Sequence, residues 1–221
     1  MFKTLMDAWR KKTFLSEIIK DFEKMLVQAE QVFSTACDVW EGVKKAEEER
    51  DNLFSTDRSI NEEEQTIRRR LLEHLAINPG MDTSACFVFI SLVKDAERIG
   101  DYAKNIFELD ELREGKFEGE HWEELKKIKT GILGNFPLLR EAFTDSDTQK
   151  AQSIMKSHRD MGRRCEELIK EMVKKKLPGD ESACFALMCR FYKRVSAHLA
   201  NIASAITNPA EKIDFVTEGL L

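Results

Sequence analysis

The sequence predicts an all-α protein built from two tandem three-helix bundles, six long helices in all, and three observations lead there. Its 221 residues contain only 10 Gly and 4 Pro against 42% hydrophobic and 34% charged residues, a composition rich in helix formers and poor in breakers. Apolar residues recur in steps of three and four over long stretches, the period of an amphipathic helix. A Pro-Gly breaker occurs twice, at Pro79-Gly80 and Pro178-Gly179, each time between a charged helix and an apolar one, as a duplicated unit requires. The expected division is 1–115 and 116–221, each half long enough for a small core.

The first helix is expected from about Phe14 to Arg50, with Leu15, Ile18, Ile19, Phe22, Met25, Leu26, Ala29, Val32 and Phe33 on one stripe. Asn52-Leu53-Phe54-Ser55-Thr56-Asp57 then reads as a linker, and a second helix follows to about Ile77, its acidic start at Glu62-Glu63-Glu64 suiting the positive helix N-terminus. A third runs from about Asp82 to Leu112 and is apolar nearly all round from Ala85 to Val93, as a buried segment would be. The fourth, from near Glu118 towards Thr144, contains Gly131, Gly134 and Pro137, which predict a kink or a break. The fifth spans about Asp147 to Lys176 and ends in Lys174-Lys175-Lys176, a solvated basic turn that complements the dipole. The sixth spans about Glu181 to Thr207.

Two internal echoes support duplication but disagree by two residues. Ser84-Ala85-Cys86-Phe87 recurs as Ser182-Ala183-Cys184-Phe185, and Glu97 to Ile106 is echoed by Lys193 to Ile202. A slip of two residues rotates a helix face by about 200°, so only one echo is structural. The second keeps the helix intact and leaves the Pro-Gly loop to absorb the difference.

Charge and composition exclude several classes. With 35 Lys+Arg against 40 Asp+Glu, a net charge of −5 argues against a generic nucleic-acid binder. No window approaches the roughly 20 apolar residues of a membrane span, so the chain is expected to be cytoplasmic, meeting a membrane only through partners. The five cysteines, Cys37, Cys86, Cys165, Cys184 and Cys189, lack a C-x-x-C pair and read as small buried residues in a reducing compartment. The four histidines show no metal-ligand spacing. Trp9, Trp40 and Trp122 read as packing or interface aromatics.

One concentrated polar signal adjoins a buried run: Lys94-Asp95-Ala96-Glu97-Arg98-Ile99-Gly100-Asp101. Glu97, Asp101 and Asn105 fall on one helical stripe, with Lys94 and Arg98 beside it and Asp95 pointing elsewhere. Carboxylates one turn apart on a helix facing other helices can ligate a hard or borderline cation. A solvated ladder of ion pairs, Lys94 to Glu97 and on to Asp101 with Lys104, explains the same spacing.

The stretch Glu97-Arg98-Ile99-Gly100-Asp101-Tyr102-Ala103-Lys104-Asn105-Ile106 resembles the E-x-x-x-D signature of the PhoU family, whose members are two three-helix bundles in tandem, packed like spectrin repeats. Asp57-x-x-Ile60-Asn61 followed by Ile67-Arg68-Arg69-Arg70 is similar to that family's second helix. The resemblance implies a non-enzymatic regulator of phosphate uptake and homeostasis that contacts a phosphate transporter and possibly a sensor kinase, and forms a homodimer. It further implies metal, with iron, zinc, manganese or magnesium as candidates, on Glu97 and Asp101, and with Asp95, Asn105, Asp57 and Asn61 as weaker candidates.

The second repeat departs from the pattern. Lys193 and Ala197 stand where the carboxylates would be, flanked by Arg190 and Arg194, and cations repel a divalent metal. At most one metal site is therefore expected, in the first repeat; the plainer alternative is that Lys193 occupies the vacated place and pairs with a carboxylate of a neighbouring helix as a structural salt bridge. Two other readings remain open: a metal-free scaffold or accessory subunit of a low-affinity or sodium-coupled phosphate transporter, and a bundle-type metal-dependent enzyme. The enzyme needs further Glu-x-x-His pairs, and the sequence offers only Glu118-Gly119-Glu120-His121 in an expected loop.

Overall fold

A computed structural model describes residues 2–80, 82–113, 115, 117–175, 178–209 and 212–213, with side chains from residue 6 onward. Among the described residues the chain forms seven helices: α1 (Phe2–Arg10), α2 (Thr13–Trp40), α3 (Ala46–Ile77), α4 (Thr83–Leu112), α5 (Glu120–Asp145), α6 (Thr148–Lys175) and α7 (Gly179–Thr207). The six long helices were expected and the short α1 was not. Its Met6 and Trp9 are buried, and Trp9 lies 5.7 Å from Phe89 of α4. A nine-residue helix with two inward side chains carries too little periodicity to be read from sequence.

The first linker lies elsewhere than expected. Helix α2 stops at Trp40 because Gly42 adopts φ 71°, its N–H bonding to Val39 O at 2.9 Å and that of Val43 to Asp38 O at 2.8 Å. This paired C-cap suits glycine, which carries no Cβ to clash in the left-handed region. The acidic residues that meet the start of α3 are Glu47, Glu48 and Glu49, not Glu62 to Glu64, and the supposed linker Asn52 to Asp57 is helical. Leu53 buries there, and the hydroxyls of Ser55 and Thr56 fold back to donate to Asn52 O at 2.9 and 2.8 Å, which lets turn-prone residues sit within a helix. Asp57 is thereby carried into the bundle.

Helix α5 runs unbroken through Gly131, Gly134 and Pro137. Pro137 faces solvent, while Ile132, Phe136, Leu139 and Phe143 form a buried stripe, so tertiary burial overrides the local breakers. Asp147 opens α6, its Oδ1 accepting the N–H groups of Gln149 at 2.9 Å and Lys150 at 3.1 Å, as an N-cap does. The expected end of that helix at Lys176 and Leu177 lies outside the described residues.

Helices α2, α3 and α4 pack on one another, as do α5, α6 and α7, and α4 lies against α7 and α2 against α5. Aromatic rings cross between these triads. Phe22 of α2 is 6.1 Å from Phe89 of α4 and 5.3 Å from Phe143 of α5, and Phe33 of α2 is 6.1 Å from Phe136 of α5 and 5.9 Å from Tyr192 of α7. The core is thus continuous.

Burial resolves the two echoes. Phe87 is 64% exposed whereas Phe185 is fully buried, so the Ser-Ala-Cys-Phe repeat is accidental. In the other register Phe89 matches Phe185, Leu92 matches Met188, Val93 matches Cys189, Ile99 matches Val195 and Ile106 matches Ile202, and all are buried.

At Gly134 an added Cβ meets nothing within 4 Å, and the backbone is helical. Gly134→Ala is expected to stabilise the protein by about 1 kcal/mol through helix propensity, measured by urea denaturation.

Candidate functional site

Helix α4 buries Ile99, Ala103 and Ile106, and this fixes which way its polar residues point. Glu97 accepts from Lys94 Nζ at 2.9 Å and lies 3.6 Å from Arg98 Nε. Asp101 is 3.0 Å from Arg98 Nη1 and 3.7 Å from Lys104 Nζ. Across the groove, the buried Asp57 of α3 accepts from the same Lys104 at 3.2 Å. Gly100 makes this approach close: a Cβ there would meet Asp57 Oδ1 at 3.2 Å and Ile60 Cδ1 at 3.4 Å.

The ammonium of Lys104 therefore joins two helices by bridging Asp57 and Asp101. Partial burial pulls its pKa down, but the charge of Asp57, the hydrogen bond donated to it and the charge of Asp101 outweigh this and raise it. Asn61 and Asn105, one turn beyond Asp57 and Asp101, are half-buried. Asp95 lies apart on the opposite side of α4, buried, where it accepts from Asn201 Nδ2 at 3.1 Å and meets His198 Nδ1 at 2.6 Å.

This donor set was tested for a metal by its chemistry. Asp57, Glu97 and Asp101 are hard oxygen donors of the right kind, but Lys94, Arg98 and Lys104 match them charge for charge. Among the described residues no three His, Cys, Asp or Glu side chains converge as a shell. The geometry fits one small cation in the position that the Lys104 ammonium takes, between Asp57 and Asp101, and does not fit a multinuclear cluster, which needs more unmatched anionic donors.

The second triad repeats the position with other chemistry. Lys193 pairs with Glu166 of α6, a carboxylate of a neighbouring helix. Ser196 stands where Gly100 stands in the first triad, and its hydroxyl meets His158 Nδ1 at 3.2 Å. By these contacts His158, which meets Ser196 as Asp57 meets Gly100, takes the place of Asp57, and Gly162, one turn on, that of Asn61. Gly162 leaves room for the Lys193 stem, whose Cε would lie 3.7 Å from an added Cβ. Burial, followed by the positive charge of Lys193, lowers the His158 pKa to about 4.

The acidic and basic faces adjoin. Arg194 donates to the hydroxyl of Tyr102 at 3.0 Å and lies 5.8 Å from its ring, and that ring stacks on His198 at 5.7 Å. The sequence reading did not include His198 or Asn201 in the site. Both share a face of α7 at i, i+3, but their partner Asp95 is far off in the chain, so only a tertiary fold reveals the contact.

Geometry of this kind, matched charges on paired helices, makes a helical scaffold that presents charged faces. Residues 22–109 match the PhoU domain. No curated protein sequence matches the chain. Its fold is similar to the phosphate transport system regulatory protein PhoU from Streptococcus pneumoniae, with TM-score 0.73 and 20% identity over 95% of this chain and 99% of that one. It is likewise similar to PhoU from Pseudomonas aeruginosa, with TM-score 0.75 and 19% identity over 94% and 98%. Among the described residues no helix is long and apolar enough to cross a membrane.

Two outcomes follow from the site. Lys104→Met strands the buried Asp57 carboxylate and is expected to destabilise the fold by about 1–3 kcal/mol; Asp57→Asn in the same chain should recover much of that loss in chemical denaturation. His158, with a folded pKa near 4 against about 6.5 unfolded, binds its proton more readily when unfolded. Its contribution to stability is intact above about pH 6.5 and is lost as pH falls towards 4. Unfolding free energy should drop by about 1–2 kcal/mol from this group between pH 7 and pH 5, and His158→Gln should flatten that part of the profile.

Proposed function

We propose that the protein is a non-enzymatic regulator of phosphate transport that acts from the cytoplasm by direct contact with a phosphate transporter, or with the sensor kinase coupled to it, as a homodimer. The observation that carries this is a PhoU domain over residues 22–109 within a fold that follows a phosphate transport regulator over 95% of this chain. The faces suit contact: both are built from long, partly exposed ionic side chains whose pairing is exchangeable, each pair being worth only about 0–1 kcal/mol in water. The basic face of Arg190, Lys193 and Arg194 also fits an accessory protein of a low-affinity or sodium-coupled transporter, in which one acidic face suffices.

A metal-dependent form of the same reading rests on Asp57 and Asp101 converging on one cation. There Asp57 and Asp101 would hold a single iron, zinc, manganese or magnesium ion once Lys104 swings aside, with Glu97, one turn from Asp101, adding its charge nearby, and the ion would supply positive charge for a partner to read.

The test is phosphate uptake in a strain lacking the gene. Loss of the protein is expected to raise uptake in phosphate-replete medium, and the wild-type chain to restore it. Unchanged uptake, with no transporter or kinase retained by the purified protein, overturns the proposal. Elemental mass spectrometry of the gel-filtered protein separates the two forms: one equivalent of metal or fewer in the wild type and none in Glu97→Gln/Asp101→Asn, with helical content retained. Should that variant still restore uptake, regulation does not depend on the metal.

A further inference from the structure

Where α2 ends and α5 begins, a cavity of about 170 Å³ opens between Trp40, Glu41, Phe117, Trp122 and Tyr192, with the exposed Glu118 at its edge. Its walls are aromatic and held in place by one another: Trp40 and Trp122 lie 5.6 Å apart, and Phe117 stacks on Trp122 at 5.4 Å. The Trp122 indole is fixed further by donating to Glu181 at 2.9 Å.

Two carboxylates, Glu41 and Glu118, and two cations, Arg113 and Lys126, line the cavity. Each cation has a carboxylate partner outside the lining, Asp110 at 2.6 Å and Glu123 at 2.6 Å, and Lys126 also lies in the field of Glu41 and Glu118. Glu41 gives one oxygen to Lys129 at 2.6 Å, while its other oxygen, Oε1, is buried with no donor among the described residues. Buried carboxylate oxygens are nearly always satisfied, which makes Oε1 a place for a donor. The same cluster already holds a planar cation: the Arg113 guanidinium lies 4.3 Å from the Trp40 ring centroid and donates to Trp40 O at 2.6 Å.

We infer that this cavity binds a small organic cation with N–H donors, a guanidinium or a primary ammonium, whose charge meets Glu41 Oε1 and Glu118 and whose body lies against the indole and phenol rings. Aromatic faces attract cations through the ring quadrupole, and more so once the cation is desolvated. A water satisfies Glu41 but makes no use of the aromatic wall.

The test is a titration of the full-length, ¹⁵N-labelled protein with methylguanidinium, followed at the tryptophan indole N–H signals. Trp40 and Trp122 should shift saturably, while Trp9, which packs on Phe89 in the first triad, should not move. Urea, of the same shape without the charge, should produce no saturable shift. Glu41→Gln should weaken binding about tenfold, the loss of one charge-assisted hydrogen bond. Glu118→Gln, at an exposed position that leaves folding intact, should weaken it a few-fold. N-acetylarginine amide binding as well as methylguanidinium assigns the cation to a side chain presented by a polypeptide, and methylguanidinium binding alone assigns it to a free small molecule. Absence of saturation up to about 10 mM, equal shifts with urea, or undiminished binding in both variants overturns the inference.

Discussion

The structure depends on the aromatic seam in which Phe22, Phe89 and Phe143, and beyond them Phe33, Phe136 and Tyr192, close α2 and α4 over α5 and α7. Magnitudes show why this contact dominates. Truncating one buried Phe to Ala costs about 3–5 kcal/mol, whereas a partly exposed ion pair of the kind found on α4 contributes about 0–1 kcal/mol. The long helices and their caps set up amphipathic faces, but the seam makes two three-helix units share one interior. Everything exposed, including both polar faces, is positioned by it.

Around that shared interior the two triads differ where the core does not constrain them. The buried register from Phe89 to Ile106 is matched by that from Phe185 to Ile202, while on the rim Glu97 gives way to Lys193, Asp101 to Ala197 and Gly100 to Ser196. The change is coordinated across helices. Where the first unit sets Asp57 against Gly100, the second sets His158 against Ser196 and lodges the Lys193 stem beside Gly162. One position has thus been kept as architecture and changed in chemistry, from a carboxylate pair bridged by an ammonium to a neutral imidazole beside a lysine.

The helices and their order were legible in sequence because periodicity is a local property and the inward stripes of α2, α4 and α7 are unambiguous. Boundaries were less so. Gly42 alone ends α2, and Asn52 to Asp57, turn-prone by composition, is helical because Leu53 is drawn into the core. Pro137 fails to break α5 since it sits on the solvent side of a strongly buried stripe. For the site, the sequence located Glu97, Asp101 and Asp57 but left open whether metal or lysine neutralises them. That depends on Lys104 reaching across a groove whose width is set by Gly100. The contact of Asp95 with His198 and Asn201 was illegible, because nothing local relates residues on helices so distant in the chain.

The Tyr102–Arg194 contact, with Asp95 and His198 behind it, has a consequence for recognition. It joins the acidic and the basic face directly, through side chains of α4 and α7. A partner with complementary charges at the same spacing engages both at once, and its second contact is then intramolecular, at an effective concentration far above that of any free competitor. A partner matching only one face gains nothing from the other. A scaffold with two faces so joined would select by separation as well as by sign.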